Sequence, residues 1–194
     1  MFIQVIQSRA SKRAEIRQLF AEWAAQPRTE PTGWLGGTYG FTDDDQLFAV
    51  IRFESKEAAM ANSARPETDA MAQKMMELTD GPPTFIDCDD VTEWLDGGSD
   101  DAGFVQIMKG HTDDPESLKA ARPDDRIREE RPEIIGGTLA IADDGTWVQT
   151  VAFTSEEAAR EGEKKPPPPE VQEAMAAFGE VEFFDLHDPW FESP

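Results

Sequence analysis

The chain carries little of what acid–base, thiol or metal chemistry requires. Among 194 residues there is one cysteine, Cys88, and there are two histidines, His111 and His187. A lone cysteine excludes an intrachain disulfide and gives no reason to expect an oxidising compartment. The histidines have no Cys or His nearby in sequence, which argues against a zinc site. Tyr39 is the one tyrosine and Asn62 the one asparagine. No apolar run approaches membrane-spanning length, and Met1–Arg13 lacks the apolar core of a signal peptide, so the expected location is cytoplasmic. Positive charge is scarce: 18 Lys and Arg stand against 40 Asp and Glu, for a net charge of -22. Such a field repels nucleic acid and anionic membrane, so neither is an expected partner; its plainest role is to keep a surface soluble. A phosphate-binding loop, a dinucleotide glycine fingerprint and a G-x-S-x-G element are all missing.

What is present is a repeat. Shifting Gly36–Ala59 by 100 positions onto Gly136–Ala159 gives ten identities in 24 positions, among them Gly36/Gly136, Gly37/Gly137, Phe53/Phe153 and Ser55/Ser155. Chance would give roughly one or two, so the chain divides into two related copies. The expected boundaries are 1–95 for copy one, 96–103 for a Gly- and Asp-rich linker, and 104–194 for copy two. With 12 Phe and 5 Trp in the chain, each copy has material for a small core.

Copy one reads as Phe2–Gln7 (strand), a helix from Ser11 with Ile16, Leu19, Phe20 and Trp23 on one face, and Gly33–Phe41 (strand). Pro27 and Pro31 close the helix, and Gly36-Gly37 marks a bulge or a close backbone approach. Asp43-Asp44-Asp45 turns the chain into a third strand, Gln46–Phe53. Ser55 caps a helix that Pro66 interrupts. Met71, Met75 and Leu78 line one side of the second helical segment, and Thr84–Val91 is the fourth strand. Copy two repeats the order from Phe104–Met108, with Asp114-Pro115 starting a first helix region that Pro123 and Pro132 cut short. Ile134–Ile141, Thr146–Phe153 and Val181–Leu186 are its remaining strands, and Ser155 caps its second helix. Pro166–Pro169 reads as a loop within a repeated helix, resumed at Glu170–Phe178, in preference to a ligand for a polyproline groove. The tail around Trp190 and Phe191 is expected to pack on a neighbouring surface. The order βαββαβ is the ferredoxin-like unit, a class of α+β fold in which one sheet face carries helices and the other needs a cover.

The sequence Gly33-Trp34-Leu35-Gly36, followed by Phe53-Glu54-Ser55-Lys56-Glu57-Ala58, resembles the dimeric α+β barrel superfamily. The branch it looks most like is the antibiotic-biosynthesis-monooxygenase-like (ABM-like) domains, where a G-F-L-G-like strand leads to a W-x-S-x-E-A-like helix start. The resemblance implies two tandem ferredoxin-like domains packed sheet to sheet, with one chain supplying both units as a fused pseudo-dimer. A monomer, or a homodimer that swaps copies, fits that arrangement. The family includes cofactor-independent monooxygenases acting on polycyclic phenols, haem-degrading enzymes and stress-associated proteins. Where haem degraders carry a ligating His in the second helix, an Asn on strand one and a Trp earlier in the helix, this chain holds Met71, Gln7 and Asn62, which disfavours haem breakdown. The resemblance thus implies a barrel that binds a small aromatic or polyketide-like molecule without a cofactor. Trp34, Tyr39, Asn62 and Arg65 are its candidate catalytic residues, and Gln7 and Met71 its candidate substrate contacts.

The alternative is a non-catalytic ligand-binding or stress-associated barrel in which Trp34 is core, Asn62 and Arg65 face solvent, and Met60, Met71 and Met75 fill the pocket. Copy two has Ile134, Leu139, Gly162 and Lys165 at the four catalytic positions and reads as scaffold. His111 is a secondary candidate for a general base, and His187 reads as a surface group. Asp87 and Asp89 are expected on one face of the fourth strand, as a weak cation site or a solvated edge.

Overall fold

The computed structural model describes residues 1–25, 33–121, 126–166 and 178–194. The expected helix ends at Pro27 and Pro31, the break at Pro123, and the run 167–177 lie outside the described residues. Two compact units emerge: Met1–Asp87 with Trp190–Pro194, and Cys88–Pro189. This division falls inside a strand, ahead of the 96–103 stretch, and it groups the last five residues with the first unit.

The first unit contains β1 (Phe2–Arg9), α1 (Arg13–Ala24), β2 (Trp34–Phe41), β3 (Gln46–Phe53), α2 (Lys56–Ser63) and α3 (Pro66–Leu78). It also holds the start of β4 (Thr84–Trp94) and, from the chain's end, β9 (Trp190–Glu192). Its strands run β4-β1-β3-β2-β9. The second unit contains β5 (Phe104–His111), α4 (Pro115–Ala120), α5 (Ile127–Glu130), β6 (Ile134–Ala142), β7 (Thr146–Phe153), α6 (Glu156–Glu163) and β8 (Val181–Leu186). With Cys88–Trp94 of β4, its strands run β8-β5-β7-β6-β4. Each unit is therefore a 4-1-3-2 ferredoxin-like sheet with a fifth strand added at the edge of its second strand.

The repeat reappears as repeated geometry. The register slips between Trp34 and Gly36, and again between Ile134 and Gly136. Both glycines have φ in the left-handed range, 126° and 152°, which only glycine adopts without strain. A Cβ on Gly136 would also collide with the backbone of Gly98 and Leu95, in the tight turn after β4. Ser55 and Ser155 each accept a hydrogen bond from the backbone N–H three residues on, both at 3.2 Å. Asp114 caps α4 in the same way, accepting from Ser117 N at 3.1 Å. Ser11 does not cap α1. Its N–H and hydroxyl are taken by the Asp80 carboxylate at 2.7 and 3.1 Å, and α1 begins two residues later.

In unit one the helices cover one sheet face. Ile16 and Phe20 of α1 and Met75 and Leu78 of α3 pack with Phe41 and Leu47; Ala58 and Ala59 of α2 pack with Phe2, Phe53 and Trp34. The opposite face is apolar as well, and Ile3, Val5, Phe48 and Val50 on it are buried. In unit two, Leu118 of α4 and Ala159 of α6 meet Phe104, Leu139, Trp147 and Phe153. The tail is a strand here: Gly37, Thr38 and Tyr39 pair with Glu192, Phe191 and Trp190. No helix among the described residues is long and apolar enough to cross a membrane.

Side-chain charge fastens α6 to β8. Arg160 pairs with Asp185 and reaches Glu163 at 3.1 Å and Glu156 at 3.3 Å. His187 is half-buried, not a loose surface group, because its Nδ1 lies 2.7 Å from Glu156 Oε2 and its ring sits 5.9 Å from that of Phe104. The hydrogen bond to His187 is the main influence holding the Glu156 carboxyl below its ordinary value.

The caps and the strained turn set expectations for stability. Ser155→Ala should cost about 1 kcal/mol and Gly136→Ala about 1–3 kcal/mol, read as shifts of the urea midpoint; a neutral Gly136→Ala would contradict the strained turn. Because the folded-state pKa of Glu156 is depressed, its contribution is present above the unfolded value of 4.5 and is lost as pH falls through the folded one. Glu156→Gln should therefore lower the midpoint at neutral pH and converge with the parent chain once the pH has fallen through the folded value.

Candidate functional site

The helix-covered face of unit one starts at the β2 bulge. Trp34 pairs with Phe53, and after the slip Gly37, Tyr39 and Phe41 pair with Ile51, Ala49 and Leu47. Trp34 and Tyr39 differ by an odd number of residues, so an unbroken strand would send them to opposite faces. The extra residue at the bulge puts both beneath the helices.

They enter different clusters there. Trp34 packs with Phe2, Phe53 and the α2 alanines. Tyr39 is buried beside Phe20, centroids 4.6 Å apart, and stacks on Trp190 at 5.6 Å with 21° between the planes. Arg17 of α1 lies over the Trp190 ring at 4.5 Å. A Cβ on Gly37 would strike the Tyr39 ring, so that glycine is what allows the ring to lie flat along its own strand.

The remaining predicted residues divide. Asn62 is half-buried on α2, three and four residues beyond Ala59 and Ala58, and shares their side of the helix. Arg65 does not extend that face. It precedes Pro66, and its backbone is extended at φ -76°, ψ 138°, outside both helices, as the residue before a proline prefers. Glu67 holds its guanidinium, with Nε 2.8 Å from the carboxylate. Gln7 pairs with Phe48, on the face with Ile3 and Val5 that is turned away from the helices, and donates to Gln46 Oε1 at 2.5 Å. Met71 is half-buried on α3. Met75 joins the packing against Phe41, whereas Met60 is 66% exposed and fills nothing.

A polar pair on the helix side was missed. Gln4 lies on the same face as Phe2 and donates to Asp87 at 2.9 Å; Gln106 repeats this towards Asp185 at 3.0 Å. The signal was in the sequence. An offset of 102 aligns Phe2–Ile6 with Phe104–Met108 and so Gln4 with Gln106; the Phe-x-Asp echo of residues 85–87 and 183–185 aligns the partners. In unit two Arg160, Glu156 and His187 enlarge that pair into a charged cluster. His111 is 59% exposed on its side chain, 3.5 Å from Asp113. Asp87 and Asp89 do not alternate cleanly, because β4 slips register between Cys88 and Asp90. Among the described residues no three His, Cys, Asp or Glu side chains gather as a metal site.

No family model matches the chain, and no curated protein matches it in sequence. Solved structures do match in shape. A provisionally assigned monooxygenase from Lactobacillus acidophilus superposes with a TM-score of 0.70 at 13% identity, over 99% of this chain and 96% of its own. An anthrone oxidase-like protein gives 0.69 at 13% identity, over 99% and 92%. An uncharacterised ferredoxin-fold protein related to antibiotic biosynthesis monooxygenases, from Listeria monocytogenes, gives 0.53 at 13% identity over 100% and 95%. At these identities the likeness is one of fold, and it spans both copies. The chain thus shares the ferredoxin-like α+β fold of these structures.

Proposed function

We propose that this chain is a small-molecule-binding barrel protein of the monooxygenase-like kind, one chain supplying both units as a fused pseudo-dimer. Its site lies in copy one and takes a planar aromatic or polyketide-like molecule. The observation that carries the reading is the bulge at Gly36, which gathers Trp34 and Tyr39 beneath the helices with Asn62 on the adjoining side of α2. The full-length likeness to a provisional monooxygenase and to an anthrone oxidase-like protein supports the substrate class.

The chemistry needs little from the protein. An acidic phenol or anthrone gives its proton to solvent water, and the resulting carbanion passes an electron to dioxygen. The radical and superoxide combine as a peroxide that, once protonated, loses water to leave a keto group. Apolar walls keep the site dry, and the Asn62 amide donates to the oxygen that gathers negative charge. Trp34 stacks on the substrate, and Arg65, once released from Glu67, offsets the charge at the mouth of the site.

The non-catalytic reading has its own support. Tyr39 is held among Phe20 and Trp190, Arg65 is paired, and copy one has no histidine. Ligand binding without turnover would be its signature.

A thermal-shift screen with anthrones, planar phenols and quinones separates these outcomes. A true ligand at about a hundredfold its Kd should raise the midpoint by about 5–10 °C. Asn62→Ala and Trp34→Ala should abolish the shift. Oxygen uptake with that ligand would make the protein an enzyme, binding without uptake would favour the silent barrel, and a shift untouched by either variant would remove the site from copy one.

A further inference from the structure

The sheet face of unit one that is turned away from the helices is hydrocarbon at Ile3 and Val5 of β1 and at Phe48 and Val50 of β3. Arg52 breaks that pattern. It lies two residues beyond Val50, between Ile3 on one neighbouring strand and Gly36 on the other, and so shares their face. The residue is half-buried, and its guanidinium lies across the β2 bulge. A Cβ on Gly36 would stand 2.8 Å from Arg52 Nη2 and 2.9 Å from the Glu192 carbonyl oxygen.

The guanidinium is poorly matched there. Among the described residues its one hydrogen bond is long, Nη1 to Thr38 Oγ1 at 3.4 Å, and it has no ion pair. Yet acids outnumber Lys and Arg by 40 to 18, and Arg13, Arg131 and Arg160 are each held by a carboxylate. A guanidinium carries five N–H donors, so most of these are unspent. Thr38 is 7% exposed, and while its oxygen accepts from Arg52 its own O–H has no acceptor among the described residues.

The repeat shows that the fold requires neither feature. At the matching positions copy two has a buried Ala152 and a Thr138–Thr150 pair whose hydroxyls satisfy each other at 2.6 Å. Copy one has Val50 in place of Thr150, which removes the partner of Thr38, and Arg52 in place of Ala152, which adds a charge. Buried donors left unmade cost free energy, so this pair calls for an acceptor from outside the chain.

We propose that Arg52 and Thr38 form a binding site for a small, apolar monocarboxylate. Both groups donate, so the ligand accepts, and the planar fork of the guanidinium matches the two oxygens of a carboxylate. One cation balances one negative charge, and the chain's net charge of -22 opposes a dianion such as phosphate. Ile3 beside Arg52 and Phe191 beside Thr38 flank the donors with hydrocarbon, so the body of the ligand is apolar. The site shares no residue with the one proposed beneath the helices, lies on the opposite sheet face, and does not rest on that reading.

Calorimetric titration of the full chain with 3-methylbutanoate and with 3-methylbutanamide, which keeps the shape and loses the charge, makes the test. The carboxylate should bind about tenfold more tightly than the amide, and less tightly as salt is raised. Arg52→Ala, the residue that copy two carries in the same fold, should bring that ratio to about one. Arg52→Met, which keeps the apolar stem, should do the same and leave the urea midpoint of the unliganded chain unchanged. Thr38→Val should weaken the carboxylate about fivefold and preserve the preference for charge. Absence of carboxylate binding, equal binding of the two compounds, or carboxylate binding untouched by Arg52→Ala would overturn the proposal. A lowered midpoint for unliganded Arg52→Met would overturn it too, by making the arginine a structural group. Trp34→Ala and Asn62→Ala should leave the carboxylate response intact, so failure of one site is distinguishable from failure of the other.

Discussion

One extra residue in each hairpin decides what the helices see. A strand alternates faces with a period of two, and a single inserted residue moves everything beyond it to the other side. At Gly36 and Gly136 that insertion is made with backbone in the left-handed range. Before the slip, Trp34 faces the helices; after it, Gly37, Tyr39 and Phe41 do. Without the slip the core of each unit would be divided between its two faces. The glycines are therefore the feature on which packing and candidate site both depend.

The two copies use that arrangement differently. Copy one fills the space over Gly37 with the ring of Tyr39 and closes it with Trp190 from the end of the chain. Copy two fills the space over Gly137 with Trp94, and that over Gly110 with Trp147. Both solutions lay an aromatic ring flat over a residue that has no side chain. They differ in polarity along the third strand of each copy, where the second buries the Trp147 indole and the Gln149 amide at the positions of Leu47 and Ala49 in the first. The Gln4–Asp87 and Gln106–Asp185 pairs, by contrast, recur in both, and only copy two adds Arg160, Glu156 and His187 around its pair.

Proline placement explains where the candidate site departs from helical spacing. Asn62 and Arg65 are three apart, which on a continuous helix makes them neighbours. Pro66 starts a new helix and forces the residue before it into extended backbone, so Arg65 leaves the face that Asn62 occupies. The sequence Arg-Pro contained that warning. Gln7 fails for a simpler reason, since five residues separate it from Phe2 and an odd separation on an unbroken strand means the opposite face.

The sequence by itself determined the repeat, the element order, the bulge glycines and the serine caps. All of these are local: turn chemistry, period and capping act within a few residues and need no distant partner. The strands Gln46–Phe53, Thr146–Phe153 and Val181–Leu186 were legible to the residue for that reason. Tertiary structure alone decided that Asp80 takes Ser11 from its helix, that His187 leans on Glu156, and that the chain's last residues pair with β2 beside Tyr39. Each joins residues 31 to 155 positions apart. Local propensity has no purchase on such contacts, because they exist only once the strands have fixed which side chains meet.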